Sequence, residues 1–388
     1  MSLSKHPVLA QLALGFAPLY DKQRQVLATR ISCIPLKPDA SIDTAALLAA
    51  VAEAMPDKPV VLNVPQEAAL QGLLAQALPA NMALEIPAFL ATGLAPALEG
   101  HKGHLLKGAG PAPLGVERAA FKAAELDLDD LRRGVQDPNR LPLWCNVVRS
   151  GPEAGEAFER GAAAVFGLPV EGHYEAPAGA PSKGEVSADL QVIIILMGQV
   201  DQGESAEKME ATLKRDPGLA FKLLRYMNSA AFGLPVEVTS FRHAMMLLGL
   251  NRLKRWLALL LATASKDSTM RPVMWAALRR GLLMEELSKS LQDSDAKDEM
   301  FICGLFSLLD HLLKTPVAKL LESIPCPERV RQALVDNSGP YQPFLQLVHA
   351  IEIESVFDYR EATEALMLSP LELNHAVLSC LHKGAQLE

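Results

Sequence analysis

The feature that most constrains the fold of this chain is a change of hydrophobic pattern near residue 171. Before it, short apolar segments alternate with Ala- and Leu-rich stretches at helical spacing; after residue 187 only helical spacing is found. The intervening EGHYEAPAGAPSKGEVS is rich in Gly, Pro, Ala and Ser and lacks an apolar period, which is typical of a linker. The 388 residues suffice for two domains with separate cores. We therefore predict a domain at 1–170, a linker at 171–187 and a second domain at 188–388.

Short apolar segments in the first half are interpreted as β-strands. Helical patterns lie between several of them, most clearly at Asp43–Met55, Glu67–Ala77 and Pro152–Ala164. This alternation implies parallel strands joined by helical crossovers, and the strand number allows a compact barrel without requiring closure. The predicted strands are Leu12–Leu19, Val26–Ile34, Pro59–Val64, Met82–Ile86, Gly103–Lys107, Ala119–Ala124, Leu141–Val148 and Ala163–Val170.

The second half contains no strand pattern, so we predict that it is entirely helical. Ser205, Asp216, Ser240 and Asn251 are suited to cap helices, and Gly249 is suited to end one. Further helical patterns cover Ala188–Gly198, Pro272–Leu291, Lys297–Leu313, Pro316–Glu322, Glu328–Val335, Tyr341–Ile353, Tyr359–Met367 and Pro370–Leu381.

Composition excludes several classes of protein. Apolar residues make up 49% and charged residues 21% of the chain, as in soluble globular proteins. The net charge of −8 gives no overall attraction to nucleic acid or anionic membranes. The longest apolar run, Val192–Gly198, is far below the roughly 18–20 residues that span a bilayer, and the N-terminus lacks a convincing signal peptide. Five scattered cysteines indicate reduced thiols, so we expect a cytoplasmic protein without membrane insertion.

The stretch Asp216–Trp256 carries an ordered series of residues that characterises the second half. The series is Asp216-Pro217, Lys222-Leu223-Leu224-Arg225, Asn228-Ser229-Ala230, Phe232-Gly233, Ser240, Ala244, Leu247-Leu248-Gly249, Leu253, Arg255 and Trp256. It resembles the HDOD family, the HD-related output domain, over about 188–388. The resemblance implies an all-α domain of bacterial signalling proteins that serves as an output or protein-interaction module.

The HD superfamily builds its metal site from histidines and aspartates that include an adjacent His-Asp pair. The corresponding place in this chain falls on Ser307-Leu308. Asp310-His311 follows in reversed order, and helical geometry turns these side chains to another face. We interpret Asp310 and His311 as a solvated pair and not as a metal site.

The first half resembles a degenerate EAL domain, a TIM-like barrel whose family is that of cyclic di-GMP phosphodiesterases. The Glu-Ala-Leu-x-Arg strand of the family corresponds to Val26–Arg30, where Arg30 alone is retained. A strand ending in a metal-binding asparagine corresponds to the one ending at Asn63, and the next strand glutamate to Glu85. The family's strand lysine is matched to Lys122. The resemblance implies an EAL-type barrel followed by an all-helical HDOD domain.

Hydrolysis of a phosphodiester by this fold requires two divalent cations held by several carboxylates. The family's first glutamate, paired aspartates and later glutamate are absent, which leaves Asn63 and Glu85. We therefore predict that the chain is not an enzyme and has no catalytic residue, metal or cofactor. Two alternatives stay open: residual phosphodiesterase activity, or binding of cyclic di-GMP without hydrolysis through Arg30, Asn63, Glu85 and Lys122.

The region 214–255 holds eight cationic side chains against two acidic ones. Such a basic face can bind an acidic partner, and the alternative is a solvated helical surface. Nucleic acid is disfavoured because aromatic residues do not interleave with the cations. We predict a non-catalytic signal-transduction protein whose HDOD domain binds a protein partner and is packed on, or regulated by, the EAL-like domain. The candidate partner-binding residues are Lys222, Arg225, Arg242, Arg252, Lys254 and Arg255.

Overall fold

The chain forms two compact units. A computed structural model describes residues 6–108, 116–175, 188–216, 219, 241–263, 267–291, 293 and 295–387. The barrel unit contains 1–171, 268–276 and 346–382, and the helical unit contains 172–267, 277–345 and 383–388. The segment 346–382 thus belongs to the barrel unit, although its sequence pattern was grouped with the second domain. The domain limits at residues 170 and 187 stay predictions.

Eight strands close into a barrel in the order of the sequence. The first strand pairs antiparallel with both of its neighbours, and all other pairs are parallel. All eight predicted strands are present. The sequence left open whether they close into a barrel, and the structure shows that they do. The strands are β1 (Leu12–Asp21), β2 (Val26–Pro35), β3 (Val60–Asn63), β4 (Met82–Pro87), β5 (His104–Lys107), β6 (Phe121–Leu126), β7 (Leu143–Cys145) and β8 (Ala164–Phe166).

Helices between the strands begin where the sequence supplies capping side chains. The Asp43 carboxylate accepts a hydrogen bond from the Ala46 N–H, and Ser150 caps its helix in the same way at Glu153. The predicted helices at Asp43–Met55 and Glu67–Ala77 are confirmed to within three residues. The helix predicted at Pro152–Ala164 ends earlier, at Glu159, and Ala164 begins the next strand. These helices are α1 (Thr44–Ala54), α2 (Glu67–Leu74), α3 (Ala88–Ala91), α4 (Ala95–Leu98), α5 (Leu128–Arg132) and α6 (Gly151–Glu159).

The interior of the barrel is a packed core in one part and a polar cluster in another. Small and large apolar side chains interdigitate in the packed part, as in other barrels of this size. They are Leu19, Ala28, Val61, Leu105, Ala123, Ala164 and Phe166. Beyond them, Arg30, Glu85 and Glu125 are buried as well. Since buried charges are stable only when paired, their contacts define the candidate site described below.

Asn374, from the segment 346–382, completes the hydrogen bonds of the first strand. Its Nδ2 donates to the carbonyl oxygens of Leu9 (2.7 Å) and Leu12 (2.6 Å). Its Oδ1 accepts from the Leu14 N–H and the Tyr359 hydroxyl, each at 3.1 Å. Asn374 is fully buried, so it supplies the Leu12 carbonyl oxygen and the Leu14 N–H with partners where water is excluded.

The helical unit contains no strand among the residues that the structure describes. Ser205 and Asp216 both accept the predicted capping hydrogen bonds, from Lys208 and Leu219. Gly249 has φ of 73° and interrupts its helix as predicted. Ser240 lies outside the described residues. The helices of the second half are α7 (Ala188–Asp201), α8 (Ala206–Leu213), α9 (Phe241–Thr263), α10 (Arg271–Leu287), α11 (Ala296–Phe306), α12 (Leu309–Leu313), α13 (Val317–Ser323), α14 (Glu328–Val335), α15 (Gln342–Glu352), α16 (Val356–Ala365) and α17 (Pro370–Leu387).

Two expectations from composition agree with the structure. All five cysteines are free thiols, as predicted. In the described part of the chain, every helix is too short or too polar to cross a lipid bilayer.

Candidate functional site

The candidate site lies inside the barrel and is built from alternate strands. Arg30 on β2, Glu85 on β4 and Glu125 on β6 are each at most 3% exposed. The ring of Phe166 on β8 lies 5.2 Å from the Arg30 guanidinium carbon. Alternate strands of an eight-stranded barrel contribute side chains to one interior layer, which brings these four residues together.

The Arg30 guanidinium is the centre of this layer. Its Nε lies 3.0 Å from Glu85 Oε1, and its Nη1 lies 3.8 Å from Glu125 Oε1. Nη1 also donates a hydrogen bond of 2.6 Å to Asn146 Oδ1, just after β7. Nη2 lies 3.6 Å from Glu354 Oε2. One cation is therefore shared by three carboxylates.

Lys107, the last residue of β5, supplies a second cation. Its Nζ donates to Glu85 Oε2 at 3.0 Å and lies 3.8 Å from Glu125 Oε1. Both oxygens of Glu85 therefore face a positively charged group. The Lys107 side chain is 29% exposed, which makes it the most solvent-exposed of these charged side chains. Arg30, Glu85, Lys107, Glu125 and Glu354 are called the Arg30 cluster below.

The Arg30 cluster alters the protonation of its members. Burial raises the pKa of Glu125 to about 8, helped by the nearby Glu85 charge and only partly opposed by Arg30 and Lys107. Both Glu125 oxygens are buried without a hydrogen-bond partner. Burial alone would lower the pKa of Arg30, but the charges of Glu85, Glu354 and Glu125 raise it above its ordinary value. At neutral pH Arg30 is charged, and most Glu125 side chains carry a proton.

A second set of hydrogen bonds connects the cluster to β3. The Ser32 hydroxyl donates to Glu354 Oε1 at 2.7 Å, and Asn63 Nδ2 donates to Ser32 Oγ at 3.0 Å. Asn63 therefore reaches the cluster through Ser32. Glu354 belongs to the turn between α15 and α16, and it has a left-handed backbone with φ of 57°.

The structure brings together three of the four residues predicted to bind a ligand. Arg30 and Glu85 are in direct contact, and Asn63 lies next to them. Lys122 is exposed on the outer side of β6, with its Nζ 5.5 Å from the Trp144 ring centre. It is not part of the Arg30 cluster, because Phe121, Ala123 and Glu125 alternate with it along the strand. Four further residues of this site are not among those predicted from the sequence: Lys107, Glu125, Asn146 and Glu354.

The donor set does not fit a pair of divalent cations. Such a site needs several carboxylate oxygens directed at the metals, whereas the Glu85 oxygens are directed at Arg30 and Lys107. Within the described ranges, no three His, Cys, Asp or Glu side chains are grouped so that they could hold a metal ion. The chemistry suited to this arrangement is the pairing of charges, and no metal-dependent step is derived from it.

The residues predicted to bind a partner have different surroundings. Lys222 and Arg225 lie outside the described residues, and only the backbone of Arg242 is described, in α9. Arg252 is exposed on α9. Lys254 forms an ion pair of 2.5 Å with Asp201.

Arg255 is held within the helical unit. It forms an ion pair and hydrogen bond with Glu285 of α10, and its Nη1 lies 3.7 Å from Asp298 Oδ1. Its guanidinium carbon is 3.8 Å from the Phe301 ring centre on α11. Burial would raise the pKa of Glu285, but Arg255, followed by Lys383 and Lys297, lowers it. Arg255 therefore joins α9, α10 and α11.

Replacing Arg255 by alanine is expected to destabilise the helical unit by about 2–3 kcal/mol, because Glu285 would be left buried with a weaker set of partners. The folded-state pKa of Glu285 is lowered, so its contribution is present above the usual glutamate range and lost as pH falls. The Arg255→Ala penalty should accordingly be larger at pH 7 than in acid. Urea denaturation measures it. Arg252→Ala is the matched control and should change stability by less than about 0.5 kcal/mol; equal effects of the two variants would contradict this role.

The interpretation of Asp310 and His311 as a solvated pair is wrong. Asp310 is 1% exposed, and its Oδ2 accepts a hydrogen bond of 2.8 Å from the Tyr174 N–H. The His311 ring lies 2.9 Å from the Gly172 carbonyl oxygen. The two side chains attach the start of the predicted linker to α12. A buried carboxylate that accepts backbone N–H groups cannot be recognised from its spacing alone.

Comparison with known proteins identifies a domain within the second half. The family model of the HDOD domain matches residues 191–321. This region is an HDOD domain. It begins within α7 and ends within α13, and the resemblance noted in the sequence is confirmed over these residues.

Two relatives match parts of the chain. The cyclic di-GMP phosphodiesterase CdgJ of Vibrio cholerae is 27% identical over 168 residues, which cover 43% of this chain and 39% of CdgJ. The uncharacterized protein YuxH of Bacillus subtilis is 32% identical over 146 residues, which cover 36% of this chain and 35% of YuxH. The matches thus cover well under half of each relative.

Solved structures similar to this one include EAL domains. The FimX EAL domain of Pseudomonas aeruginosa bound to c-di-GMP shares 15% identity with this chain at a TM-score of 0.28, and the match covers 40% of this chain and 88% of that one. The Bacillus subtilis YkuI protein has 12% identity, a TM-score of 0.28, and coverage of 40% and 54%. With TM-scores this low, the description of the barrel rests on its own strand order and pairing.

Proposed function

We propose that this chain is a non-catalytic signal-transduction protein of a cyclic di-GMP-related system. The HDOD domain is the output module that binds a protein partner, and the barrel unit is its regulatory domain. The presence of an HDOD domain and the similarity to a cyclic di-GMP phosphodiesterase support the signalling class. Location in the cytoplasm is part of the same proposal.

The observation that carries the non-catalytic assignment is the pairing of Glu85. Its two oxygens lie 3.0 Å from Arg30 Nε and 3.0 Å from Lys107 Nζ. A metal ion would have to displace both cations and would be repelled by them. Glu125, the other carboxyl group at this level, has a pKa raised to about 8 and is a poor ligand at neutral pH.

The full-length chain is expected to show no hydrolysis of cyclic di-GMP above the buffer rate, with either Mg²⁺ or Mn²⁺ present. Product formation is measured by chromatography over hours. Glu85→Ala is the matched variant and should give the same background. Turnover by the wild-type chain that Glu85→Ala abolishes would establish a residual phosphodiesterase and overturn the proposal.

A second candidate is a cyclic di-GMP receptor without hydrolysis. It is favoured by the position of Lys107, a partly exposed cation next to the Arg30 guanidinium, since two cations suit the phosphates of such a ligand. Calorimetric titration of the wild-type chain with cyclic di-GMP distinguishes the candidates. Saturable heat at micromolar protein favours the receptor.

A further inference from the structure

The turn that carries Glu354 packs directly against the backbone of the first strand at Gly15. A Cβ at Gly15 of β1 would lie 2.8 Å from Glu354 Cγ and 2.9 Å from the Ile351 carbonyl oxygen. Any larger residue at position 15 would therefore displace the turn. The absence of a side chain at Gly15 is what allows Glu354 to reach Arg30 and Ser32.

The backbone of this turn is strained. Glu354 has φ of 57°, a left-handed conformation that costs a non-glycine residue on the order of 1 kcal/mol or more. The contacts that the Glu354 carboxylate makes inside the barrel unit offset this conformational cost. Ser32 Oγ donates to one of its oxygens at 2.7 Å, and Arg30 Nη2 lies 3.6 Å from the other.

The chemistry of these contacts is that of an anion site. A planar guanidinium and a hydroxyl group face the two oxygens of one carboxylate, which is also how proteins bind the oxygens of a phosphate. The negative charge comes from the chain itself, at the end of helix α15, and its side chain is 17% exposed. The carboxylate thus takes a position that an external anion would otherwise occupy.

We propose that Glu354 is an internal pseudo-ligand, which occupies an anion site formed by Arg30 and Ser32 and is displaced when a phosphate-bearing ligand binds. The turn around Glu354 then leaves the barrel, and the helices on both sides of it move with it. The class of ligand rests on the proposed function, whereas the displacement rests on the geometry of the turn alone. Only molecules in which the turn has left the barrel can bind the ligand. The apparent affinity is therefore the affinity of this open state multiplied by the small fraction of molecules that are open.

Glu354→Gly tests this proposal directly. Glycine adopts a left-handed backbone without strain, so the variant removes the carboxylate and keeps the turn. We expect it to bind cyclic di-GMP or inorganic phosphate at least about tenfold more tightly than the wild-type chain, measured by calorimetric titration of the full-length protein with each probe. Adding Arg30→Lys, which keeps a charge without the planar fork, should reduce the gain.

Two further variants separate displacement of the turn from general loosening. Gly15→Ala keeps every charged group and removes the space for the turn, so it should also tighten binding. Met367→Gly changes another left-handed residue of the barrel unit, with a side chain 91% exposed, and should bind as the wild type does. The rate of amide hydrogen exchange in 346–365 should rise in Glu354→Gly and in Gly15→Ala, but not in Met367→Gly.

The proposal is overturned if neither Glu354→Gly nor Gly15→Ala binds either probe more tightly than the wild type. It is also overturned if Met367→Gly shows the same gain, or if the gain is unchanged by Arg30→Lys. Phosphodiesterase turnover by the wild-type chain would contradict the proposed function and leave these binding results as they stand, so the two failures are distinguishable.

Discussion

Arg30→Met is expected to destabilise the barrel unit by about 3–5 kcal/mol, because it removes the cation shared by three acidic side chains. Glu85 and Glu125 would keep Lys107 as their cation, and Glu354 would keep only the Ser32 hydroxyl. Methionine fills much of the arginine volume, so little of the loss comes from a cavity. Equilibrium unfolding in urea, followed by circular dichroism, measures the change.

The loss caused by Arg30→Met should grow with pH. In the folded wild type the pKa of Glu125 is raised from 4.5 to about 8, so the folded state binds more protons than the unfolded chain between these values. Stability therefore falls as pH rises through that range. Arg30 is one of the charges that limit the rise, so its removal raises the pKa of Glu125 further and extends the fall in stability to higher pH.

Arg133→Met is the matched control, since Arg133 is an exposed arginine that pairs with Asp130 on the surface of α5. We expect it to change stability by less than about 0.5 kcal/mol and not to alter the pH dependence. A loss below about 1 kcal/mol for Arg30→Met, or a loss equal at pH 6 and pH 9, would mean that the cluster is not held by the arginine.

The strands were predictable because each is a short apolar run between polar breaks. The orientation of their polar residues was harder to predict. The resemblance matches the family's strand lysine to Lys122 on β6, but alternation along the strand places Glu125, and not Lys122, inside the barrel. Counting in steps of two from the buried Phe121 would have found Glu125 from the sequence.

No local pattern could have assigned Glu354 to the barrel. It lies in a helical segment that follows the HDOD match, and its partners Arg30 and Ser32 lie more than 300 residues earlier. Contacts at such separation are set by tertiary packing, which hydrophobic periodicity does not encode. Arg255 shows the same limit in the helical unit, because its charge suggested an external partner and its contacts with Glu285 and Phe301 are internal.

Asn374→Ala is expected to destabilise the barrel unit by about 3–4 kcal/mol, because it leaves several buried polar groups without partners. The carbonyl oxygen of Leu12 and the N–H of Leu14 lose Asn374 as their partner, whereas the Leu9 carbonyl oxygen keeps a hydrogen bond from the Leu12 N–H. Unpaired groups of this kind cost roughly 1–3 kcal/mol each, and partial relaxation reduces the sum. Thermal and urea unfolding of the full-length chain measure the loss.

Tyr359→Phe provides the graded comparison, since it removes only the hydroxyl that donates to Asn374 Oδ1 and keeps the ring. We expect a loss of about 1 kcal/mol, the typical net value of one hydrogen bond. The same ordering should hold for hydrogen exchange of β1, which should rise strongly in Asn374→Ala and slightly in Tyr359→Phe. If both variants were as stable as the wild type, the segment 346–382 would be a passive neighbour of the first strand. A large difference between them would establish that the barrel depends on a side chain supplied after the HDOD match, so that residues 1–171 do not reach their full stability without the segment 346–382.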